Sequence, residues 1–301
     1  MKRSSLFIAT ILPSFIYGQI NYTGSVVNKR NGEKIPFASV GLIKENTGIN
    51  ADEYGYFLLI SNKNIAADTL IVSCVGFKTF KLPLNKQVNE NLLIALDEKN
   101  SELGEVIITS GKYGTSTILN EFSNCGNSYV GSSGYQTQLA QHFQAPMRNS
   151  LLGNVKICRM HIPFLSPEKA RFRIRIYDMD SITLGPGKDL CNQVIEVKSG
   201  EKNISIDMEK YKLRIPGRDF FVAIEWLKIP LNENKRKTKM ADGRVIETIT
   251  YRPSIGWTDN QGAKMEAWML DYKGNWRPMF NSNNKTSVSI SVECLTQKTP
   301  N

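Results

Sequence analysis

An all-β chain of two sandwiches in tandem is the fold class predicted here, and three observations predict it. Apolar residues recur at every second position over short runs, no stretch sustains a helical period, and turn-forming residues punctuate the runs at short intervals. The 301 residues suit two ordinary domains, and a composition of 41% hydrophobic and 22% charged residues excludes a wholly disordered chain. No apolar run reaches the roughly 18 residues of a membrane-spanning helix.

Residues 1–18 read as a secretory leader: Lys2 and Arg3, an apolar stretch from Leu6 to Ile16, and small Gly18 before Gln19. No Cys lies near the cleavage point, which argues against a lipoprotein anchor. Export to the periplasm, the outer-membrane surface or the medium is the expectation. The formal charge is +10, and losing Lys2 and Arg3 leaves +8. A cationic surface favours anionic partners such as lipopolysaccharide, acidic glycans or phosphorylated polymers, rather than nucleic acid in an exported protein.

Residues 19–97 form the first group of runs: Val26-Val27, Ala38 to Ile43, Tyr56 to Ile60, Leu70 to Val75 and Leu92 to Leu96. Asn31-Gly32, Asp52 to Gly55 and Ser61 to Asn64 supply the turns between them. Residues 98–125 read as a linker, polar and then Gly/Ser/Thr-rich, with Glu105 to Thr109 as one added strand. Residues 126–297 form the second group. Phe172, Ile174 and Ile176 alternate with Arg171, Arg173 and Arg175, and Val288, Ile290 and Val292 alternate with serines. Phe220 to Leu227 is apolar on both faces apart from Glu225, which marks a central strand and demands a partner for the buried carboxylate. About eight strands of this kind suit a jelly-roll-like sandwich.

Five cysteines leave at least one unpaired. Cys74, Cys158 and Cys294 sit at period-2 positions on apolar faces, where thiols pack as small hydrophobes. Cys125 and Cys191 lie in loop contexts and form the one pair these contexts suggest. No CxxC spacing marks a thiolate metal site.

Residues Gly24 to Lys78 resemble the carboxypeptidase-like regulatory domain. The matching blocks are Gly24-Ser25-Val26-Val27, Ile35 to Val40, Asn50 to Phe57 around Asp52 and Gly55, and Asp68 to Lys78 around Ser73 and Gly76. The resemblance implies a transthyretin-like, seven-stranded, non-catalytic sandwich, as found at the N-terminus of TonB-dependent receptors. Ala51 stands where the family usually has Thr, and Cys74 occupies a variable position. Glu102 to Ile108 is similar to the segment that follows this domain in those receptors, although their barrel is absent. The later blocks, Phe172 to Tyr177, Gly185 to Leu190 and Asp219 to Trp226, resemble more loosely a second sandwich of unsettled function.

The spacing supports no catalytic site. A zinc carboxypeptidase needs an HxxE pair, and neither His142 nor His161 has Glu at the third position. There is no nucleophile elbow, no phosphate-binding loop and no dinucleotide fingerprint, so no cofactor or metal is expected. Asp178 and Asp180 read as loop caps, with a calcium site as the alternative, and Asp52 and Glu53 as a turn.

The binding candidates are aromatic. Trp257, Trp268, Tyr272 and Trp276 fall within twenty residues, with Asp259, Asn260, Gln261, Asp271, Asn275 and Arg277 among them. Rings stack on the C–H faces of sugars while amides and carboxylates take the hydroxyls; the alternative is core packing. Trp276, Trp257, Trp268, Tyr272, Arg277 and Asp271 are therefore the candidate ligand-binding set. Arg171, Arg173 and Arg175 are the candidate anion-binding set, the alternative being a solvated face with cross-strand carboxylates. The loop Asn232 to Arg244, with Lys235, Arg236, Lys237, Lys239 and Arg244, reads as a solvated hairpin end or an anion site. The expected function is non-enzymatic binding or adhesion at the cell envelope, with a glycan as first ligand. A scaffold docking other envelope proteins and an undetected hydrolase are the alternatives.

Overall fold

The computed structural model describes residues 19–61, 67–84, 90–99, 113–126, 128–159, 169–258, 267–279 and 287–297. The leader at 1–18, the strand expected at Glu105–Thr109, His161, and Asp259, Asn260 and Gln261 lie outside the described residues. Among the described residues the chain is all-β, its helical pieces being two 3-10 turns, Glu209–Tyr211 and Pro230–Asn232.

Among the described residues the first unit has seven strands: β1 (Ile20–Asn28), β2 (Ser39–Leu42), β3 (Thr47–Asn50), β4 (Tyr56–Ser61), β5 (Thr69–Ser73), β6 (Phe80–Pro83) and β7 (Leu92–Leu96). One sheet runs β4-β1-β7 and the other β3-β2-β5-β6. Val26, Phe57, Leu59 and Ile94 from the first meet Val40, Leu42, Leu70 and Val72 from the second in one core. The strict alternation of β4, with Phe57, Leu59 and Ser61 buried, is the period-2 pattern read from the sequence. The turn before β4 closes as its residues require. Asp52 Oδ1 accepts the amides of Tyr54 and Tyr56, both at 2.9 Å, and Gly55 takes φ +76°.

The second unit begins earlier than its composition suggested. β8 (Tyr113–Leu119) lies inside the stretch read as a linker, yet it pairs antiparallel with β23 (Ile290–Gln297). Its Ser and Thr side chains suit a partly exposed edge strand and carry little apolar signal. β11 (Ser150–Cys158) and β15 (Asn203–Asp207) complete that sheet in the order β15-β11-β23-β8, with β16 (Arg214–Ile215) also on β11. The facing sheet contains β10 (Gln136–Gln144), β12 (Ala170–Met179), β13 (Pro186–Asp189), β17 (Asp219–Trp226), β20 (Ala267–Asp271) and β21 (Trp276–Pro278). Its order is β13-β12-β17-β10-β20-β21, with β14 (Ile195–Ser199) also on β12. β17 is central, as its two apolar faces predicted. Phe172, Ile174, Ile176, Val222 and Ile224 pack against Leu152, Val155, Ile157, Ile290 and Val292. A third sheet joins β18 (Glu233–Lys239), β19 (Val245–Thr258), β22 (Ser287–Val288) and β9 (Tyr129–Ser132).

The disulfide differs from the expected pair. Cys125 bonds Cys158 across a Cα–Cα distance of 5.2 Å, while Cys191 is a buried free thiol. Cys158 ends β11, beside the segment after β8 that carries Cys125, whereas Cys191 follows β13 on the facing sheet. Strand pairing, rather than loop context, decided which sulfurs meet.

Candidate functional site

The two units dock through the polar face of β12. The arginines expected to look outward from this strand lie beneath the first unit, and Arg173 is only 2% exposed. Arg173 donates to the carbonyls of Phe37 (Nη1, 3.2 Å) and Pro36 (Nη2, 3.1 Å). The Arg171 guanidinium sits 4.2 Å from the Phe37 ring centroid, and Phe37 packs with Leu227 and Ile229. Asn50 and Lys228 exchange bonds like neighbouring strands: Asn50 N–H donates to Lys228 O, and Lys228 N–H donates to Asn50 Oδ1. Gly41 and Gly48, cross-strand partners on β2 and β3, leave a flat patch for the Tyr272 ring. A Cβ on either would come within 2.5 Å of that ring.

Each arginine of the ladder has a carboxylate. Arg171 Nε lies 2.6 Å from Glu196 Oε1, Arg173 Nη1 3.6 Å from Glu225 Oε1, and Arg175 Nη1 3.0 Å from Glu225 Oε2. Arg175 also holds Asp189 through Nε at 2.8 Å and through Nη2. Glu225 thus finds the partner that its place in an apolar strand required; it stands opposite Arg173 in the β12–β17 register. This alternating row of charges is a covered, internally neutralised seam. The cross-strand carboxylates of the alternative reading are present, but the face is covered, neither solvated nor open to an anionic polymer.

Beside the seam lies a cleft of about 300 Å³ shared by both units. Gln138, Arg175, Tyr177, Glu225, Asp271 and Trp276 form its wall on the second unit. Ser39, Ser73, Cys74, Phe77, Thr79 and Lys99 face them from the first. Tyr177 donates its hydroxyl to Gln138 Oε1 at 2.8 Å, and burial raises its pKa well above the usual value. Trp276 stands edge-on to Tyr177, with centroids 5.5 Å apart at 75°. Burial also raises the Cys74 thiol, so it rests as the unreactive thiol form.

The candidate aromatic residues separate into two classes. Trp276 and Tyr272 line the cleft, although Tyr272 is buried by its docking on Gly41 and Gly48. Asp271 also lines it; its Oδ1 accepts the Asn275 amide at 3.0 Å, and Arg277 Nη2 approaches Oδ2 at 3.8 Å while remaining exposed. Trp268 is not in the cleft: it packs with Tyr177, Phe221, Ala140 and Ala223 and against Gly185. Trp257 is half-buried against the core of the second sandwich. Asp178 and Asp180 are loop caps as read, with Asp178 accepting Lys188 N–H and Asp180 accepting Ile182 and Thr183 N–H.

Gln138, Tyr177 and Lys99 escaped the sequence reading. Gln138 and Tyr177 sit in strands whose neighbours are apolar, and only their register against Glu225 and Phe221 reveals a shared face. His142 lies at 3.1 Å from Asp219 Oδ1 and lines neither this cleft nor the second one, beside Phe37 and Arg173. Among the described residues no group of three or more His, Cys, Asp or Glu is placed to hold a metal ion.

No curated protein matches the chain in sequence. Among solved structures, the cysteine protease and lectin-like domains of Cwp84, a surface layer associated protein of Clostridium difficile, align over 83% of this chain at 10% identity with a TM-score of 0.32. The chain spans 46% of that structure's length. A DUF3823 family protein from Parabacteroides merdae aligns over 78% of this chain and 96% of its own, at 11% identity with a TM-score of 0.20. One family model matches, the CarboxypepD_reg-like domain, over residues 22–108. Its span takes in β1 from Tyr22 onward and the six strands β2 to β7, so residues 22–108 are a CarboxypepD_reg-like domain in a longer chain that is all-β among its described residues.

Proposed function

We propose that this is an exported, non-enzymatic binding protein of the bacterial cell envelope that takes a carbohydrate in the cleft between its two units. The observation that carries the reading is the composition of that cleft. The half-buried Trp276 ring, set edge-on to the buried Tyr177, stands among an amide, carboxylates and cations: Gln138, Asp271, Glu225, Arg175 and Lys99. Aromatic planes take sugar C–H faces, and the polar groups take hydroxyls. The carboxylates suit binding better than proton transfer. Glu225 is held by two guanidinium groups, and Asp271 by a backbone amide and Arg277. The jelly-roll reading of the second unit belongs here too: its first strand, β8, pairs with its last, β23, which lies beside β11.

The test uses the full chain, because both units line the cleft. Glycan-array screening followed by calorimetry is expected to find an oligosaccharide ligand whose affinity falls at least tenfold in Trp276→Ala, while Trp257→Phe leaves it unchanged. No glycan retained by the wild type, or equal retention by Trp276→Ala, refutes the reading. A docking role is favoured by a second observation. Tyr56, Leu58 and Ile60 on edge strand β4, with Leu93 on β7, are exposed side chains of one small sheet. Pull-down from envelope extracts that depends on Leu58 and Ile60 selects that alternative.

A further inference from the structure

The ribbon made by β18 and the first part of β19 stands apart from both sandwiches. Its strands pair from Glu233↔Tyr251 to Lys239↔Val245, a length of about 24 Å at strand spacing. Every residue from 235 to 249 is exposed. An isolated two-stranded ribbon is marginal in water, and this one displays Met240, Val245, Ile246 and Ile249, each at least 38% exposed.

Its charges have a pattern. Directly paired residues share a face. Lys235, Lys237 and Lys239 therefore stand with Ile249, Glu247 and Val245, while Arg236 and Thr238 stand with Thr248 and Ile246. Lys235 is engaged by Glu233 at 3.1 Å and Arg244 by Asp242 at 2.6 Å. Arg236, Lys237 and Lys239 make no ion pair among the described residues. One face thus joins Lys237 and Lys239 to Val245, and the other joins Arg236 to Ile246.

We infer that this ribbon docks the protein peripherally on an anionic lipid surface. Arg236, Lys237 and Lys239 would meet lipid phosphates while Val245, Ile246 and Met240 enter the headgroup boundary. A soluble polyanion satisfies the cations but leaves the apolar tip in water. A neighbouring protein strand uses the ribbon's edge but gives the cations counter-charge only where it carries carboxylates. A phosphate-bearing lipid interface satisfies both. The formal charge, +10 with Lys2 and Arg3 and +8 without them, adds long-range attraction to such a surface. The inference stands independently of the cleft.

Co-sedimentation of the full chain with two vesicle preparations tests it: phosphatidylcholine alone, and phosphatidylcholine with an equal share of phosphatidylglycerol. Binding is expected on the mixed vesicles alone and is expected to weaken steeply with added salt. Arg236→Gln/Lys237→Gln/Lys239→Gln is expected to lower vesicle affinity about a hundredfold, and Val245→Thr/Ile246→Thr about tenfold. All five positions are solvent-facing, and circular dichroism confirms that the variants remain folded. Salt-insensitive partition of the wild type, equal partition onto both preparations, or no partition overturns the inference without any variant. Unchanged affinity in either variant overturns it as well. Capture of the wild type by soluble polyphosphate without vesicle binding assigns the ribbon to a polymer instead.

Discussion

Lys228 shows how one side chain in the docking seam sets a pH response. It is 3% exposed, its ammonium reaches the carbonyls of Ser133 and Gly134, and it lies 4.6 Å from the Tyr272 ring centroid. Desolvation pushes its pKa down to about 7 from 10.5. The unfolded chain therefore binds one more proton between about pH 7 and 10.5. This group's contribution to stability rises with pH across that window, and its penalty is complete below it. Lys228→Met is expected to flatten the pH dependence of urea denaturation in this window and to raise stability by about 1–3 kcal/mol at neutral pH or below. An unchanged pH slope would show that the charge does not resist burial. Gly48 makes a complementary case. A Cβ there would lie 2.4 Å from Val40 O and 2.5 Å from Tyr272, so rigid backbone blocks it as well as a packed ring. Gly48→Ala is expected to cost about 1–3 kcal/mol in the same assay, whereas Gly134→Ala, with open space around it, is expected to cost under about 0.5 kcal/mol.

At the scale of the element, β12 joins two surfaces that demand opposite chemistry. Its apolar side completes the second core, and its arginine side closes the seam onto the first unit. The period-2 alternation that would mark an exposed strand here marks an interface, because every guanidinium has a carboxylate or a carbonyl. Breaking a buried pair by removing one partner costs far more than the pair is worth in water. Arg173→Ala is expected to lose about 3–5 kcal/mol in chemical denaturation. Arg173→Lys is expected to recover less than half of it, because an ammonium cannot fork onto Pro36 O and Phe37 O while meeting Glu225. A loss below about 1 kcal/mol in Arg173→Ala would mean that the seam does not depend on this contact.

For the whole molecule, the Cys125–Cys158 bond ties the segment after β8 to the sheet that β8 joins, closing a span of 33 residues. Cys125→Ser/Cys158→Ser is expected to cost about 3 kcal/mol through the added freedom of the unfolded chain. Thiol titration of the denatured, unreduced protein is expected to count three reactive cysteines, Cys74, Cys191 and Cys294. A count of one or five would contradict this pairing. The two units share a cleft and a buried charge network, so Arg173→Ala is expected to lower the affinity for the proposed glycan as well as the stability, as calorimetry would read.

The alternation of apolar residues, the turn at Asp52 to Gly55 and the central position of β17 were legible in the chain, because each rests on neighbours a few residues apart. So was the demand that Glu225 find a cation, since a carboxylate in an apolar strand allows little else. The identity of that cation was not legible, nor were the cysteine that meets Cys125, the sheet that β8 enters, or the division of the tryptophans between cleft and core. Those depend on strand order and on which sheet faces cover one another. Long-range pairings bring together residues such as Phe37 and Arg173, or Gly48 and Tyr272, whose local sequences are equally compatible with solvent.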